Sequence, residues 1–463
     1  MKTDTIAAIA TTVGESAIGI VRMSGSDAVR IADMIFKARS GRKVSRLRTH
    51  TVHYGWITEK PPATGHRPQV IDEVLLTLMR APKTYTREDI VEISCHGGVR
   101  PLQKILEAVV GAGARLAEPG EFTRRAFLNG RIDLSKAEAV LDIIRAKTDT
   151  ALKLGLAQLS GRLSGIITKM RQALVGVLAH VEAEIDFSEE GLQTKKQHLL
   201  ERDITALIRQ CRSVIEDSEK SDFFREGIKV TICGRPNVGK SSLLNALLRK
   251  ERAIVTPIAG TTRDTIEEFI SLHGIGIRLV DTAGIIKPKN LIDHHAIRLA
   301  KDSIALSDIV LLVFDGSQKL TAKDRELIKE LREKDVIAVI NKIDLPQRLS
   351  AGELRHFFKH LVCISSKTQK NLALLEKAVV RFVYKGKIIA GEDLVTVNAR
   401  QMSEIKKAHA LLKSALENCK RALTHEFVAL DLKGALDCFD RITGDKIDEA
   451  VLDRIFGEFC IGK

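Results

Sequence analysis

The eight residues from Gly234 to Ser241, read as Gly-Arg-Pro-Asn-Val-Gly-Lys-Ser, constrain the fold of this chain more than any other stretch. A glycine, four residues, Gly-Lys and a hydroxyl side chain make a loop whose backbone N–H groups can surround phosphate oxygens, provided a strand precedes it and a helix follows. Both are expected here, because residues 228–233 form a short apolar run and residues 242–248 open an apolar helix. Such a loop turns its N–H groups and the positive end of a helix toward one point, where an anion is favoured. The stretch Asn237, Val238, Gly239, Lys240, Ser241 and Ser242 is therefore assigned to a nucleotide. Lys240 is expected to reach the β and γ phosphates, and the Ser241 hydroxyl to ligate Mg²⁺.

Around the loop, from about residue 224 to 384, strand, loop and helix alternate. Residues 277–280, 309–314, 336–340 and 361–364 are short apolar runs, and polar motifs follow three of them. This is the pattern of a doubly wound α/β sheet, in which ligands collect at the carboxyl ends of the strands. Asp281-Thr282-Ala283-Gly284 places a carboxylate for the metal and the Gly284 N–H for the γ-phosphate, while Thr262, beside Thr261 on a Gly/Thr-rich loop, is the natural second Mg²⁺ hydroxyl. Asn341-Lys342-Ile343-Asp344 ends another strand, and a carboxylate there can accept the two N–H donors on the guanine edge. Specific pairing of buried polar groups discriminates by roughly 10⁴ or more, so GTP is expected over ATP. Ser365, Ser366 and Lys367 complete the set as a loop supporting the base. Ile285 stands where small signalling GTPases carry a water-positioning Gln, so the catalytic group must come from elsewhere.

At 463 residues the chain exceeds one ordinary core. Residues 1–118 read as an α+β domain, and helical patterns cover 119–223 and 385–463. The economical arrangement is one discontinuous helical domain with the 224–384 module inserted. Ser135 and Glu138 match a capping box at a helix start. Further amphipathic helical segments are expected over roughly residues 150–185 and 198–215. The net charge of +14 suggests a polyanionic partner, whereas 4% aromatics with one tryptophan argues against a base-stacking platform. Arg39, Arg42, Lys43, Arg46 and Arg48 form a basic segment, for which a solvated loop competes with a nucleic-acid contact. Seven scattered cysteines point to free thiols in a reducing compartment, and the short run 6–10 makes a poor signal peptide, so a soluble cytoplasmic protein is expected. His96, beside Gly97 and Gly98, reads as a strand exit rather than a metal ligand.

The flanks carry a resemblance. Pro119-Gly120-Glu121-Phe122-Thr123, Ala126-Phe127-Leu128-Asn129-Gly130, Ala137-Glu138-Ala139 and the last residues Phe459-Cys460-Ile461-Gly462-Lys463 closely resemble the MnmE (TrmE) family of bacterial tRNA-modification GTPases. The resemblance spans essentially the whole chain. It implies a homodimer through an N-terminal folate-binding domain, a helical domain and an inserted P-loop GTPase. It also implies work with the flavoprotein MnmG, with 5,10-methylene- or 5-formyl-tetrahydrofolate supplying a one-carbon unit to carbon 5 of a tRNA wobble uridine. By position it implies folate contacts from Arg22, Glu92, Arg131 and Lys463, Arg131 standing where some members have Lys. For each of these four an ordinary surface charge is the competing reading.

The same resemblance implies a K⁺ site from Asn237, Thr256, Ile258 and Thr261, replacing an arginine finger and predicting K⁺-stimulated hydrolysis. The family's water-orienting Glu falls on Asp293, one methylene shorter, with a loop-capping role as the alternative. Cys460 admits either a nucleophile or an inert buried thiol, the second being at least as expected. The competing overall function is an rRNA-binding checkpoint GTPase of ribosome assembly. It is disfavoured because no Gly-x-x-Gly RNA-binding module is evident.

Overall fold

The computed structural model describes residues 4–59, 69–186, 197–251, 267–281, 303–383, 395–421 and 424–463. In chain order the first elements are β1 (Ile6–Ile9), β2 (Ser16–Ser24), α1 (Ala28–Ile35), β3 (Phe36–Ala38), β4 (Thr51–Thr58), β5 (Val70–Met79), β6 (Ile90–Gly97), α2 (Val99–Gly111) and β7 (Arg115–Leu116). Helices α3 (Glu121–Leu128), α4 (Leu134–Arg145), α5 (Asp149–Leu159), α6 (Arg162–Asp186) and α7 (Gln197–Glu226) follow. Next come β8 (Ile228–Cys233), α8 (Lys240–Glu251), β9 (Glu267–Leu272), β10 (Ile275–Asp281), β11 (Ile309–Asp315), α9 (Ala322–Glu330), β12 (Val336–Asn341), α10 (Ala351–Arg355), β13 (His360–Cys363) and α11 (Leu372–Val383). Helices α12 (Ala399–Lys420), α13 (His425–Thr443) and α14 (Glu449–Gly457) close the chain. Among the described residues no helix is long and apolar enough to cross a membrane.

Two compact units emerge, each discontinuous in sequence: Met1–Leu141, Leu159–Leu207 and Ser403–Lys463 form one, and Asp142–Gln158 with Ile208–Met402 the other. In the first, a seven-stranded sheet runs β3-β4-β5-β6-β2-β1-β7. Val74, Leu76 and Leu78 of β5 are buried while Leu75 is 47% exposed, the two-residue alternation of a sheet covered on one face. Helices α1 and α2 cover that face, α2 through Leu102, Ile105 and Val109. Strand β1 serves both faces, since Ala7 joins this core and Ile6 and Ala8 join Ala117 and Phe122 in a second one. Residues Ile6–Ile9 are thus a strand shared by two cores.

The helical part of this unit has its own core, in which Leu134 and Ala137 of α4 meet Leu452 and Phe456 of α14 and Phe459 beyond it. Helix α13 buries Val428, Leu432, Ala435 and Phe439, a stripe of helical period, and Asp440 beside it pairs with Arg171 of α6 at 2.6 Å. One expectation is corrected. The cap of α4 is Asp133, whose Oδ1 accepts from the Lys136 N–H at 3.0 Å, so Ser135 lies inside the helix and instead donates to Asp133 at 2.6 Å. The carboxylate wins because it stands one residue before the first helical position, where the unpaired N–H groups point. The pattern over 150–185 is two helices, since α5 ends at Leu159 and α6 begins at Arg162, with Gly161 at φ +100° between them.

In the second unit a six-stranded sheet runs β13-β12-β11-β8-β10-β9, parallel except for β9 at its edge. Strand β11 is buried on both faces: Ile309, Leu311 and Val313 point to one core, and Val310, Leu312 and Phe314 to the other. Covered sheets of this kind read as unbroken apolar runs, which is why these strands were visible in the sequence. Strand β9 pairs with β10 through the two-residue turn His273-Gly274, both at positive φ (50° and 83°). From β8 the strand order proceeds one way to β10 and the other way to β11. The crevice beyond the end of β8 is therefore the switch point of the sheet.

Candidate functional site

The loop Gly234 to Ser241 occupies that switch point, between β8 and the start of α8 at Lys240. Its path demands unusual backbone angles, with Asn237 at φ 66° and Gly239 at φ 98°. A Cβ on Gly239 would lie 2.3 Å from the Asn341 Nδ2, so only glycine fits. Lys240 is 8% exposed and donates to the carbonyls of Gly234 and Arg235, both at 2.9 Å. Its ammonium is thereby folded back over the loop, at the end of a helix whose first N–H groups also face this point. Ser241 and Ser242 are exposed on the first turn of α8, and Val238 is buried beneath it. Burial pushes the Cys233 thiol up to about 12, the nearby Lys240 opposing only in part, so this cysteine packs as an apolar group.

The exits of β12 and β13 close around the same loop. Asn341, 2% exposed, donates from Nδ2 to the Val238 carbonyl at 3.0 Å and accepts at Oδ1 from the Ser366 N–H and hydroxyl, each at 3.0 Å. Lys342 donates to the Asn237 carbonyl at 2.8 Å and to Asp315 at 2.7 Å. The Asp344 carboxylate accepts from the Ser365 hydroxyl at 2.6 Å, a bond that holds its pKa below the ordinary carboxylate range. Asp344 and Lys367 are exposed, while Ser365 and Ser366 are buried beneath them. A carboxylate fixed in the ionised form at the rim, aimed by a buried hydroxyl, is suited to accept paired N–H donors from a purine edge.

Sequence reasoning missed two supports of this site. Asp315, at the end of β11, opens an Asp-Gly-Ser exit; burial would raise its pKa, but the Lys342 ammonium and the Ser317 hydroxyl and N–H outweigh burial and keep it low. Its signal is the Asp-Gly-Ser that directly follows the apolar run 309–314. Arg235 pairs with Asp324 at 2.8 Å, a carboxylate only 3% exposed that also forms a capping box with Thr321 at the start of α9. The loop's second residue is thereby tied to a neighbouring helix.

Asp281 ends β10, which runs parallel beside β8, so its backbone lies next to the loop strand. Thr256, Ile258, Thr261, Thr262, Gly284, Ile285 and Asp293 lie outside the described residues.

A second constellation sits at the chain terminus in the first unit. Arg22 of β2 pairs with Glu92 of β6, its register partner, at 2.7 Å, and also donates to the Gly462 carbonyl at 3.1 Å. Its guanidinium lies 5.7 Å from the centre of the Phe122 ring, and the Phe122 N–H donates to the Lys463 carbonyl at 3.2 Å. Tyr85 packs against the Phe122 cluster, and Arg131 stacks over Tyr85 at 4.7 Å while donating to its carbonyl at 3.1 Å. The structure therefore gathers Arg22, Glu92, Arg131 and the backbone of Lys463 about one small apolar cluster. Behind it, a network not foreseen from sequence joins Arg115 and Arg125 to Asp4, Glu88 and Glu121 at 2.6–3.2 Å. Cys460 is exposed, against the expectation of burial, because the last turn points Phe459 (4% exposed) inward and leaves Cys460 and Ile461 outside. His96, as expected for a strand residue, is engaged by Asp72 at 2.7 Å, and no cluster of potential metal ligands occurs among the described residues.

A phosphate loop at the switch point of this sheet, with Asn-Lys-x-Asp and Ser-Ser-Lys at the exits of β12 and β13, defines a P-loop GTP hydrolase. The family description "GTP-binding protein TrmE N-terminus" matches residues 5–131, and "MnmE helical domain" matches residues 134–460. Relatives named tRNA modification GTPase MnmE are 44% identical in Thermoanaerobacter pseudethanolicus, over 99% of both chains, and 42% identical in Bacillus cytotoxicus, over the full length of both. That of Bacillus subtilis is 40% identical over 99% of this chain and 100% of its own. Among solved structures, the G domain of the T. maritima FeoB iron transporter aligns at 29% identity over 34% of this chain and 98% of its own, with a TM-score of 0.27. The chain belongs to the MnmE family of tRNA modification GTPases.

Proposed function

We propose that this tRNA-modifying GTPase is stimulated by K⁺ and, with the flavoprotein MnmG, adds an aminomethyl or carboxymethylaminomethyl group to carbon 5 of the tRNA wobble uridine, a tetrahydrofolate supplying the one-carbon unit. Residues 1–118 are the folate-binding and dimerising domain, 119–223 and 385–463 the discontinuous helical domain, and 224–384 the inserted GTPase. The protein works in the cytoplasm as a homodimer.

The observation that carries the nucleotide half is the bridge from the phosphate loop to the β12 exit through Asn341 and Lys342, which ties phosphate and base recognition into one rigid piece. Mg²⁺ is assigned to the hard oxygens of Ser241, Asp281 and Thr262, and this is supported by Ser241 standing on the first turn of α8 and by the backbone of Asp281 ending β10 beside β8. Asn237 uses its carbonyl for Lys342, and its amide oxygen is available to K⁺ together with Thr256, Ile258 and Thr261. Either cation would neutralise charge developing on the phosphates. Asp293 positions the attacking water.

The folate half is supported by Arg22, a half-buried cation beside Glu92 and the chain terminus: a cation can meet the folate glutamate, and a carboxylate can bond the pterin edge. Mass spectrometry of tRNA nucleosides from a strain lacking the protein tests the modification. Loss of the wobble-uridine side group is expected, and unchanged uridines would reject it in favour of a purely RNA-binding GTPase. Equal hydrolysis rates in Na⁺ and K⁺ would remove the K⁺ site.

A further inference from the structure

We propose that the edge of the N-terminal sheet, from Lys37 through Arg48, is a docking surface for the sugar–phosphate backbone of tRNA. The inference rests on the tRNA-modifying role and names where on the chain the RNA is held. The basic segment proves to be a braced element rather than a loose loop. Val44 and Leu47 are 1% and 8% exposed and anchor a turn of 3-10 helix, Val44–Arg46, in the sheet's helix-covered core. Lys43, Arg46 and Arg48 are consequently turned outward. The Ser45 N–H donates to Asp33 at 3.1 Å, the Arg80 guanidinium to the Ser45 carbonyl at 2.9 Å, and the Arg80 N–H to the Thr49 hydroxyl at 2.8 Å. These bonds fasten the segment to the loop after β5, which adds the exposed Lys83 to the same region.

The charge is one-sided. Lys37, Arg39, Arg42, Lys43, Arg46 and Arg48 are all exposed, and no carboxylate pairs with Arg42, Lys43, Arg46 or Arg48 among the described residues. The acids nearby are already engaged, Asp33 by the Ser45 N–H and Glu73 by the Tyr54 hydroxyl at 2.6 Å. Like charges held close on a rigid support repel one another, and a polyanion relieves that repulsion while releasing its own counterions. The edge strand adds two aromatic neighbours: Lys37 stands opposite Trp56 in the β3–β4 register, and the Arg39 guanidinium lies 5.8 Å from the Tyr54 ring, itself 5.4 Å from Trp56. With only these two rings the surface suits backbone contact rather than reading of bases. None of these residues belongs to the GTP site or to the Arg22–Glu92 constellation.

The test uses the full-length protein with Lys43→Gln, Arg46→Gln and Arg48→Gln combined, and as control Arg100→Gln with Lys104→Gln on α2, the helix layer covering the sheet. Binding of unmodified tRNA is followed from about 0.05 to 0.2 M salt. The triple variant is expected to bind at least about tenfold more weakly and to show a salt slope shallower by two to three, roughly one for each phosphate contact removed. GTP hydrolysis without tRNA and the far-UV circular dichroism stay as in the parent. Trp56, the only tryptophan, gives a local signal: tRNA should change its fluorescence in the parent and the control but not in the triple variant.

Affinity, slope and fluorescence unchanged by the triple substitution would overturn the surface while leaving the tRNA role intact. So would an equal loss in the control, which would mean bulk charge alone. Salt-dependent binding of phosphatidylserine vesicles with no tRNA binding by the parent would overturn the surface together with the role on which it rests.

Discussion

Asn341 donates its side-chain N–H to the Val238 carbonyl, and through its oxygen it holds both polar groups of Ser366. One buried amide thus joins the phosphate loop to two further strand exits. Asn341→Ala leaves three groups without their partner, at a cost of about 1–3 kcal/mol for each one that water cannot reach. The expected result is at least tenfold weaker binding of a fluorescent GTP analogue and a lower melting temperature. Asn341→Asp loses the donor to Val238, and binding should fall in the same direction.

Arg235 and Asp324 form the second brace. Asp324→Ala removes both the carboxylate that the guanidinium faces and the half of the capping box that accepts from the Thr321 N–H, so a cost of about 3 kcal/mol or more is expected. Asp324→Asn keeps a capping oxygen and isolates the ion pair. Nucleotide affinity should fall in both variants, because the Arg235 carbonyl is one of the two acceptors holding Lys240, but melting should fall mainly in the first.

Arg22 is expected to control folate independently of GTP. Arg22→Met removes a charge-assisted hydrogen bond and Glu92→Gln weakens it by removing the anion, a loss of up to about 1.5–3 kcal/mol, or roughly ten- to hundredfold in affinity, largest for Arg22→Met. Calorimetric titration with 5-formyl-tetrahydrofolate reads the loss, and GTP hydrolysis should be unchanged.

The network beneath that site predicts acid sensitivity. Burial alone would raise the pKa of Asp4 and of Glu121, but Arg115 with Arg125 outweighs it, and both carboxyls lie below their ordinary values. Folded values below the unfolded ones mean that this stabilisation is complete above the ordinary carboxylate range, about pH 5, and is lost as the pH falls through the lowered folded values. Arg125→Met, leaving Glu88 without its ion-pair partner and Asp4 and Glu121 with Arg115 alone, should cost about 3 kcal/mol at neutral pH and flatten the acid limb of the stability profile. Melting temperature against pH for parent and variant is the measurement.

Asp293 remains to be tested by single-turnover hydrolysis. Asp293→Ala should slow the step by about a hundredfold, the scale of a misplaced catalytic group, and Asp293→Glu should equal or exceed the parent. Undiminished hydrolysis in the alanine variant would take Asp293 out of the mechanism.

The sequence was most readable where one local pattern decides one local structure. The buried strands β11 and β12 are unbroken apolar runs up to their last residue, β8 is mainly apolar, and the glycines and lysine of the phosphate loop have few alternatives. Supports drawn from distant segments were hidden: nothing near Arg235 announces Asp324, and nothing near Arg22 announces the carbonyl of Gly462. Strand β9 escaped because its Glu-Glu-Phe-Ile-Ser-Leu run has little alternation and depends on pairing with β10. At α4 the Ser135 and Glu138 spacing suggested the wrong cap, since a capping box is a weak signal when an aspartate stands two residues earlier. The role of the basic segment was undecidable from composition; the buried Val44 and Leu47 distinguish a braced surface from a loose loop.

Arg22 and Gly462 are 440 positions apart, yet the carbonyl of one meets the guanidinium of the other. Chains are made from the amino end and their domains fold in that order, so β2 and β6 can pair long before residue 462 leaves the ribosome. The constellation they begin is finished only once residue 462 has been made and released. A nascent or prematurely stopped chain would carry a folded sheet and a usable phosphate loop but an open end at Arg22.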